Sequence, residues 1–398
     1  MKVAVVGAGV GGLTLAQGLL RAGIDVTVYE RDTALDSRGQ GYRIHLHALA
    51  ALEACLPSDL YELCIATAGQ PSTQLTVMSS GLRILRSTEM ASTGRATSVN
   101  RQTFREILAA RLEGVIEFGR TCVGFTQDPD IVRVQFADGT EASADVLVAA
   151  DGVGSPIRRQ YLPQLMVEET GALCIYGRTP LTDQTRPLVP PSIWKGFTAI
   201  VGGKAGMATG VLDFREAPGD AARRIAPDVR LSEVAPYLMW ALTAQADVFP
   251  NIPNIPNIPD TSAGLHEVAA HTIRRWHPDV RRLVELAAVE ETTLIPIRSA
   301  VPIDAWPSSR VTLLGDAVHA MSPARGSGAN TALQDAALLA AKLAGAVRGD
   351  QDVVAAIAAY EREMIVYGFE AVRASREAGP AGGSRLRSSL FRRLAGIR

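Results

Sequence analysis

The sequence predicts an α/β chain: a parallel sheet flanked by helices, interleaved with a second, mostly antiparallel sheet and followed by C-terminal helices. Three observations carry that expectation. Residues 2–31 run as apolar strand, glycine-rich turn, helix and apolar strand, the pattern of a βαβ unit buried on both faces. Residues 171–215 are rich in strand-like segments. A strand at 310–317 and an Ala-rich helix from about 329 to 347 return the chain to the first unit, which is therefore discontinuous.

Taken in order, KVAVV and IDVTVYER are the first two strands, with LTLAQGLLRAG as the helix between them and Gly23 as its stop. Residues 74–86 alternate around a Ser-Gly turn and read as a hairpin outside the opening unit. RQTFREILAARL, 101–112, has helical spacing. VGFTQ, IVRVQF and EASADVLVAAD are strands separated by Asp-Pro-Asp and Ala-Asp-Gly turns. Helices are expected at 231–246, 264–289 and 351–378. Asn-Ile-Pro, three times over at 251–259, forbids helix and favours an extended polyproline connector. The chain closes on a basic tail, RLRSSLFRRLAGIR, expected as a solvated or docked terminal helix.

Of 398 residues, 47% are hydrophobic and 20% charged, and 40 Lys and Arg balance 41 Asp and Glu. That composition suits two globular domains and gives no electrostatic footprint for nucleic acid. Cys55, Cys64, Cys122 and Cys174 are far apart, so reduced and mostly buried thiols are expected. The glycines of MKVAVVGAGVGG are spaced for a turn and not for a signal peptide, and no apolar run reaches membrane-spanning length. A cytoplasmic protein is the expectation.

The first chemical motif is Gly7-x-Gly9-x-x-Gly12, set between strand and helix, with Glu30 ending the next strand. The first glycine makes the turn, the second lets a pyrophosphate approach the backbone, and the third lets helix and strand pack closely. Free N–H groups at the helix start meet the phosphate charge, and Glu30 is placed to accept from ribose hydroxyls. The motif alone does not separate FAD from NAD.

Two further segments carry a resemblance. DVLVAADGVGSPIRR, 145–159, and RVTLLGDAVHAMSPARGSGANTALQDA, 310–336, resemble the Asp-Gly and Gly-Asp motifs of FAD-dependent aromatic hydroxylases, the group A flavoprotein monooxygenases with the para-hydroxybenzoate hydroxylase fold. With the glycine turn they stand in the family's order, so the resemblance covers nearly the whole chain. It implies a Rossmann-type FAD-binding domain of the GR2 type interleaved with a substrate domain. The expected bounds are 1–70, 95–170 and 295–350 for the first, 71–94 and 171–294 for the second, with 351–398 as a C-terminal segment.

The resemblance also implies site residues. Asp316 binds the ribityl chain of a tightly bound, non-covalent FAD, and the loop with Pro323, Gly326, Gly328, Ala329 and Asn330 lies against pyrophosphate and isoalloxazine. The family often has glutamine where Ser327 stands. Asp151 and Gly152 support FAD and a transient NADPH or NADH, with Arg158 as an ion-pair partner. Arg31 and Arg101 contact the adenosine ribose and pyrophosphate. His319 is expected to pack or cap. Arg38 to His47 is similar to the flavin-bordering loop and strand of the tetracycline-inactivating branch, which usually has an acid where His45 stands. There Arg38 meets phosphate, Arg43 faces the active site and His45 contacts the flavin. His45 and His47 share a strand face, with no third metal ligand nearby in sequence. Tyr176, Arg178, Trp194 and Phe214 are candidates for lining the substrate pocket.

The implied function is an NAD(P)H-using monooxygenase that inserts one oxygen atom from O2 into an aromatic or polycyclic small molecule through a flavin C4a-hydroperoxide. Natural-product biosynthesis and antibiotic modification are its settings, and monomer or homodimer its state. The alternative in the same fold is a flavin-dependent reductase of prenyl or other double bonds.

Overall fold

The computed structural model describes residues 1–35, 43–89, 97–249 and 259–378. Arg38, the Asn-Ile-Pro stretch up to residue 258 and the basic tail lie outside the described residues.

The opening unit is β1 (Lys2–Val6), α1 (Val10–Arg21) and β2 (Asp25–Tyr29). β1 pairs in parallel with β2 on one side and with the strand Val146–Ala149 on the other, which pairs in parallel with Val311–Leu313. Ile116–Glu117 completes this five-stranded sheet beside β2. Val3, Ala4, Val5 and Val6 are all buried, as consecutive residues are when both faces of a parallel sheet are covered. α1 and the helices Arg101–Ala109 and Gly328–Val347 share this core with a three-stranded meander, joined where the rings of Tyr29 and Phe136 lie 4.8 Å apart. The last helix, Val353–Ala378, buries Tyr360, Met364 and Phe369 there as well.

The second sheet has seven strands, in the order Thr293–Ala300, Val167–Pro180, Tyr237–Gln245, Ala205–Leu212, Thr198–Gly202, Gln74–Ser79 and Ile84–Glu89. All its pairings are antiparallel except that of Thr198–Gly202 with Gln74–Ser79. It runs on to Ala300, past the expected boundary at 294, because Val167–Pro180 needs Thr293–Ala300 to satisfy its outer edge.

The expected helix at 231–246 is instead the strand Tyr237–Gln245. YLMWALTAQ has helix-forming residues and apolar side chains at successive positions. It lies between Val167–Pro180 and Ala205–Leu212, paired along its whole length and covered on both faces, so packing overrides propensity. The expected helix at 264–289 divides into Ser262–Thr272 and Pro278–Glu285, with Pro278 opening the second.

Strand alternation gives this sheet two faces. Ile175, Trp240 and Leu242 pack on one, against helix residues Leu265, Val268 and Val280. Gly177 makes that packing possible, since a Cβ there would stand 2.1 Å from the Trp240 indole. Tyr176, Leu212, Tyr237 and Met239 lie on the other face. Opposite them runs β3 (Arg43–Leu46), paired with Thr97–Asn100. Its Ile44 and Leu46 enter the first core, which turns Arg43 and His45 toward the second sheet.

Candidate cofactor and active site

The three glycines of the turn are constrained in three different ways. Gly7 has φ +108°, and a Cβ there would lie 2.4 Å from the Ala150 carbonyl oxygen. A Cβ on Gly12 would lie 2.0 Å from the Gly7 carbonyl oxygen, so this glycine brings α1 onto β1. A Cβ on Gly9 would meet nothing within 4 Å. Gly9 is the N-cap of α1, so open space lies against free helix-start N–H groups, as a phosphate site requires.

Glu30 is buried at the end of β2. Its carboxylate accepts the Ala8 N–H at 2.7 Å and the Asp32 N–H at 3.0 Å. Arg105 stands 3.7 Å from the same carboxylate, while donating to the carbonyls of Ala8 at 2.8 Å and Leu35 at 2.7 Å. Glu30 therefore fixes the glycine turn, and its remaining lone pairs are what a ribose hydroxyl would use. Arg105 escaped the sequence reading; the available signal was a charge beside Phe104, Ile107 and Leu108 on the buried side of its helix. Arg31 is exposed next to this corner.

Asp316 follows Gly315, whose φ of +62° turns the chain out of the strand Val311–Leu313. The Asp316 side chain reaches solvent, yet the surrounding protein desolvates it enough to raise its carboxyl above the ordinary range, against the pull of His319 and Arg101. A carboxylate that is walled in but open on one side lies at the bottom of a cleft. A Cβ on Gly328 would be 3.8 Å from its Oδ1, and one on Gly326, at φ +63°, would be 3.9 Å from the His45 Cβ. The fold thus gathers Asp316, Arg101, Gly326, Gly328 and His45 from four separate stretches of chain. Pro323 is exposed in the turn that precedes Gly326, and Ala329 is half-buried in the first turn of the helix Gly328–Val347.

Asn330 departs from its expected role. Its Oδ1 accepts the N–H of His47 at 2.9 Å and of Ala48 at 3.1 Å, and its Nδ2 donates to the carbonyls of His45 at 2.8 Å and Gly326 at 3.1 Å. All four hydrogen-bonding positions of the amide are used, so the side chain ties the loop to β3 and has none left for a cofactor.

Arg158 differs as well. It donates to the carbonyls of Val153 and Ala317 and forms no ion pair with Asp151. Both Asp151 carboxylate oxygens are buried without a hydrogen-bond partner, and burial pushes the group up to about 6 against the pull of Ser155 and Arg158. Gly152 and Gly154 beside it face open space. Open backbone at Gly9, an orphaned carboxylate at Asp151 and a cleft carboxylate at Asp316 together fit a ligand carrying both phosphates and a hydroxylated chain.

The substrate-pocket candidates separate. Tyr176 and Phe214 lie on the sheet face toward β3, and the Arg43 N–H donates to the Tyr176 hydroxyl at 3.0 Å. Arg178 is engaged by Glu291 and lies over the Tyr237 ring at 5.4 Å. Trp194 packs on the opposite side with Ile193 and Leu238, under the Arg186 guanidinium. His45 is neutral near pH 7, because burial and the nearby Arg43 push it down to about 4. Its Nδ1 is buried without a partner.

Among the described residues no helix is long and apolar enough to cross a membrane. All four cysteines are free thiols.

Comparison with known proteins places this geometry. The chain is 33% identical over 390 residues to the dual O-methyltransferase/FAD-dependent monooxygenase CTB3 of Cercospora beticola, covering 91% of this chain and 44% of that protein. It thus spans less than half the length of that relative. It is 29% identical over 393 residues to the FAD-dependent monooxygenase thnD of Trichoderma harzianum, covering 95% and 92%. A solved protein of Photorhabdus luminescens subsp. laumondii, described as an FAD-containing monooxygenase, superimposes with a TM-score of 0.80 at 32% identity, covering 95% and 98%. The family described as FAD binding domain matches residues 1–186 and 264–375, the stretches that carry the glycine turn, Asp151 and Asp316, and the chain belongs to that family.

Proposed function

We propose that the chain is an FAD-dependent, NAD(P)H-using monooxygenase that inserts one oxygen atom from O2 into an aromatic or polycyclic small molecule. The observation that carries this reading is the placement of the Asp316–Gly328 corner against β3. The Asp316–Gly328 corner lies beside His45 of β3, and β3 in turn faces the side of the seven-stranded sheet that carries Tyr176, Leu212, Tyr237 and Met239, so a substrate space between the two sheets would open there. The monooxygenase names of its relatives support the reaction class.

In this reading the five-stranded sheet carries the cofactor, the seven-stranded sheet covers the substrate, and the last helix buttresses the first. FAD, when bound, supplies the redox chemistry, accepting a hydride and activating oxygen. The residues bind, orient and exclude water. Gly9 and the start of α1 receive the pyrophosphate, with Arg101, which stands by Asp316, on its flavin side, Glu30 the adenosine side, and Asp316 the ribityl hydroxyls. Asp151 supplies a hydrogen-bond acceptor at the edge where the nicotinamide donor visits. The Gly326 loop brings backbone against the ring system, and neutral His45 adds no charge there. Tyr176 and Met239 wall the substrate side with carbon, which keeps water from the reacting centre. No side-chain nucleophile is required.

The test mixes purified yellow protein with NADPH or NADH without oxygen, then admits 18O-labelled O2 with a panel of phenolic and polycyclic compounds. Flavin reduction and one labelled oxygen in product support the reading. Reduction followed by saturation of a double bond without label assigns the chain to the flavin-dependent reductases. Failure of both nicotinamides to reduce the flavin with substrates present overturns it.

A further inference from the structure

Three turns meet at one end of the seven-stranded sheet. Residues 80–83 join Gln74–Ser79 to Ile84–Glu89, residues 203–204 join Thr198–Gly202 to Ala205–Leu212, and residues 273–277 join the helices Ser262–Thr272 and Pro278–Glu285. Backbone and ring contacts lock them together. Ser80 donates its N–H to the Val201 carbonyl at 2.9 Å, and its own carbonyl accepts the His277 N–H at 2.8 Å. Gly202 lies against the Trp276 indole, where a Cβ would stand 2.4 Å from Cε2.

The charge on these turns is one-sided. They carry Arg83, Lys204, Arg274 and Arg275, all exposed, and no acid. Among the described residues none of the four forms an ion pair; Arg274 donates only to the His271 carbonyl. Of the acids nearby in the fold, Asp279 stands 3.6 Å from His277 and Asp247 lies in the turn beyond Tyr237–Gln245. In a chain whose 40 basic residues balance 41 acidic ones, this is a local excess, and the fold gains nothing from holding like charges together. Directly after Arg83 come two large aliphatic side chains, Ile84 at 55% exposure and Leu85 at 46%. The ladder passes from Val77↔Arg86 to Met78↔Ile84, so Leu85 is the extra residue of a bulge, which bends this edge strand at its start.

We propose that this end of the sheet docks on an anionic bilayer surface, with Arg83, Lys204, Arg274 and Arg275 at the lipid phosphates and Ile84 and Leu85 entering the headgroup boundary. Cations around a small aliphatic tip are what such a surface attracts: the charges meet its potential and the apolar side chains leave water. Turns that cap the end of a sheet project outward. A projecting tip suits soft, laterally mobile headgroups, which need only the right sign, whereas a folded acidic partner would need a matching hollow. The proposal is independent of the reaction assigned above.

The test sediments the full FAD-loaded chain with vesicles of phosphatidylcholine alone and of equal parts phosphatidylcholine and phosphatidylglycerol. Binding to the mixed vesicles is expected to be at least about tenfold tighter, since each cation near such a surface contributes roughly a fivefold factor, and to weaken with added salt. Arg274→Gln with Arg275→Gln should lower it about tenfold or more, with FAD content unchanged. Arg230→Gln with Arg373→Gln removes the same charge from exposed positions elsewhere and should leave it unaltered. The fluorescence of Leu85→Trp should move to the blue on the mixed vesicles. Equal binding to both vesicles, or to neither, overturns the proposal. So does an equal loss in the two double variants, because attachment then follows net charge and not this surface. Binding to poly-glutamate but to neither vesicle overturns it in favour of an acidic protein partner.

Discussion

His319 donates a hydrogen bond of 2.6 Å to Asp335, and both side chains are completely buried. The same carboxylate accepts the Gly315 N–H at 2.8 Å and the Tyr367 hydroxyl at 2.7 Å. Asp335 thus ties the turn bearing Asp316 to two successive helices. Burial alone would pull His319 down, but the charge and hydrogen bond of Asp335 outweigh it and hold the imidazolium above its ordinary 6.5. A raised folded value means that this charge adds stability fully below about 6.5 and loses it as pH rises through the folded value. Melting temperature measured from about pH 6.5 upward should fall more steeply for the native protein than for His319→Gln. Equal slopes would refute the assignment. Asp335→Asn removes the counter-charge outright and is expected to cost about 3–5 kcal/mol, with loss of bound FAD.

Gly9 and Gly12 belong to one motif but should fail differently. Gly12→Ala places a Cβ 2.0 Å from a backbone oxygen, so α1 has to move and the apoprotein should melt well below the native one. Gly9→Ala meets no protein atom within 4 Å at an ordinary backbone angle. Its apoprotein should melt close to the native temperature while FAD affinity drops by tenfold or more, on the order of 1.4 kcal/mol. Scanning calorimetry of the apoproteins with FAD titration separates the two, and an unaltered FAD affinity for Gly9→Ala would remove the pyrophosphate from that position.

Asp151 is a cost to the free fold. Its carboxyl rises from 3.8 to about 6 on burial, which at about 1.4 kcal/mol per unit is at most about 3 kcal/mol. Below 3.8 both states are protonated and the penalty is absent; it grows between 3.8 and about 6 and is constant above. Asp151→Asn should therefore stabilise the apoprotein at pH 8 and leave it unchanged near pH 3.5, as read by urea midpoints. A variant no more stable than the native protein at pH 8 would show that the carboxylate is not desolvated. The same substitution should weaken whatever the carboxylate serves, measured as slower flavin reduction by NAD(P)H.

The residues of these predictions were not equally legible. The turn of Gly7, Gly9 and Gly12 announced itself because backbone geometry, phosphate approach and helix packing each require glycine at a fixed spacing. Asp316 was legible through its motif. Asp335 was not: it sits in an Ala- and Leu-rich helix, where a lone acid is the only sign that something distant needs it. Arg105 and Tyr367 depend likewise on partners far away in sequence. Tyr237–Gln245 misled because a central strand covered on both faces loses the alternation that marks strands. Arg158 was near enough to Asp151 to suggest a pair, but two carbonyls claimed its donors.

Asn330 offers the sharpest separation of holding a loop from touching a ligand. Its amide is shared among two N–H groups and two carbonyls on either side of the cleft corner, so its loss leaves four backbone groups to find water. Because that corner is only partly enclosed, water can replace much of what is lost, and Asn330→Ala should cost about 1–3 kcal/mol in global stability. The local effect should be larger. Amide hydrogen exchange at His47 and Ala48 should accelerate, and FAD should dissociate faster with its association rate little changed, because the loop that closes on the ring system is no longer tied to β3. Asn330→Asp retains the two acceptors and loses the two donors, and should protect His47 and Ala48 while freeing the Gly326 carbonyl. If exchange at His47 and Ala48 is the same in native protein and Asn330→Ala, the amide does not hold this corner, and a direct contact with the cofactor becomes the better account of its position.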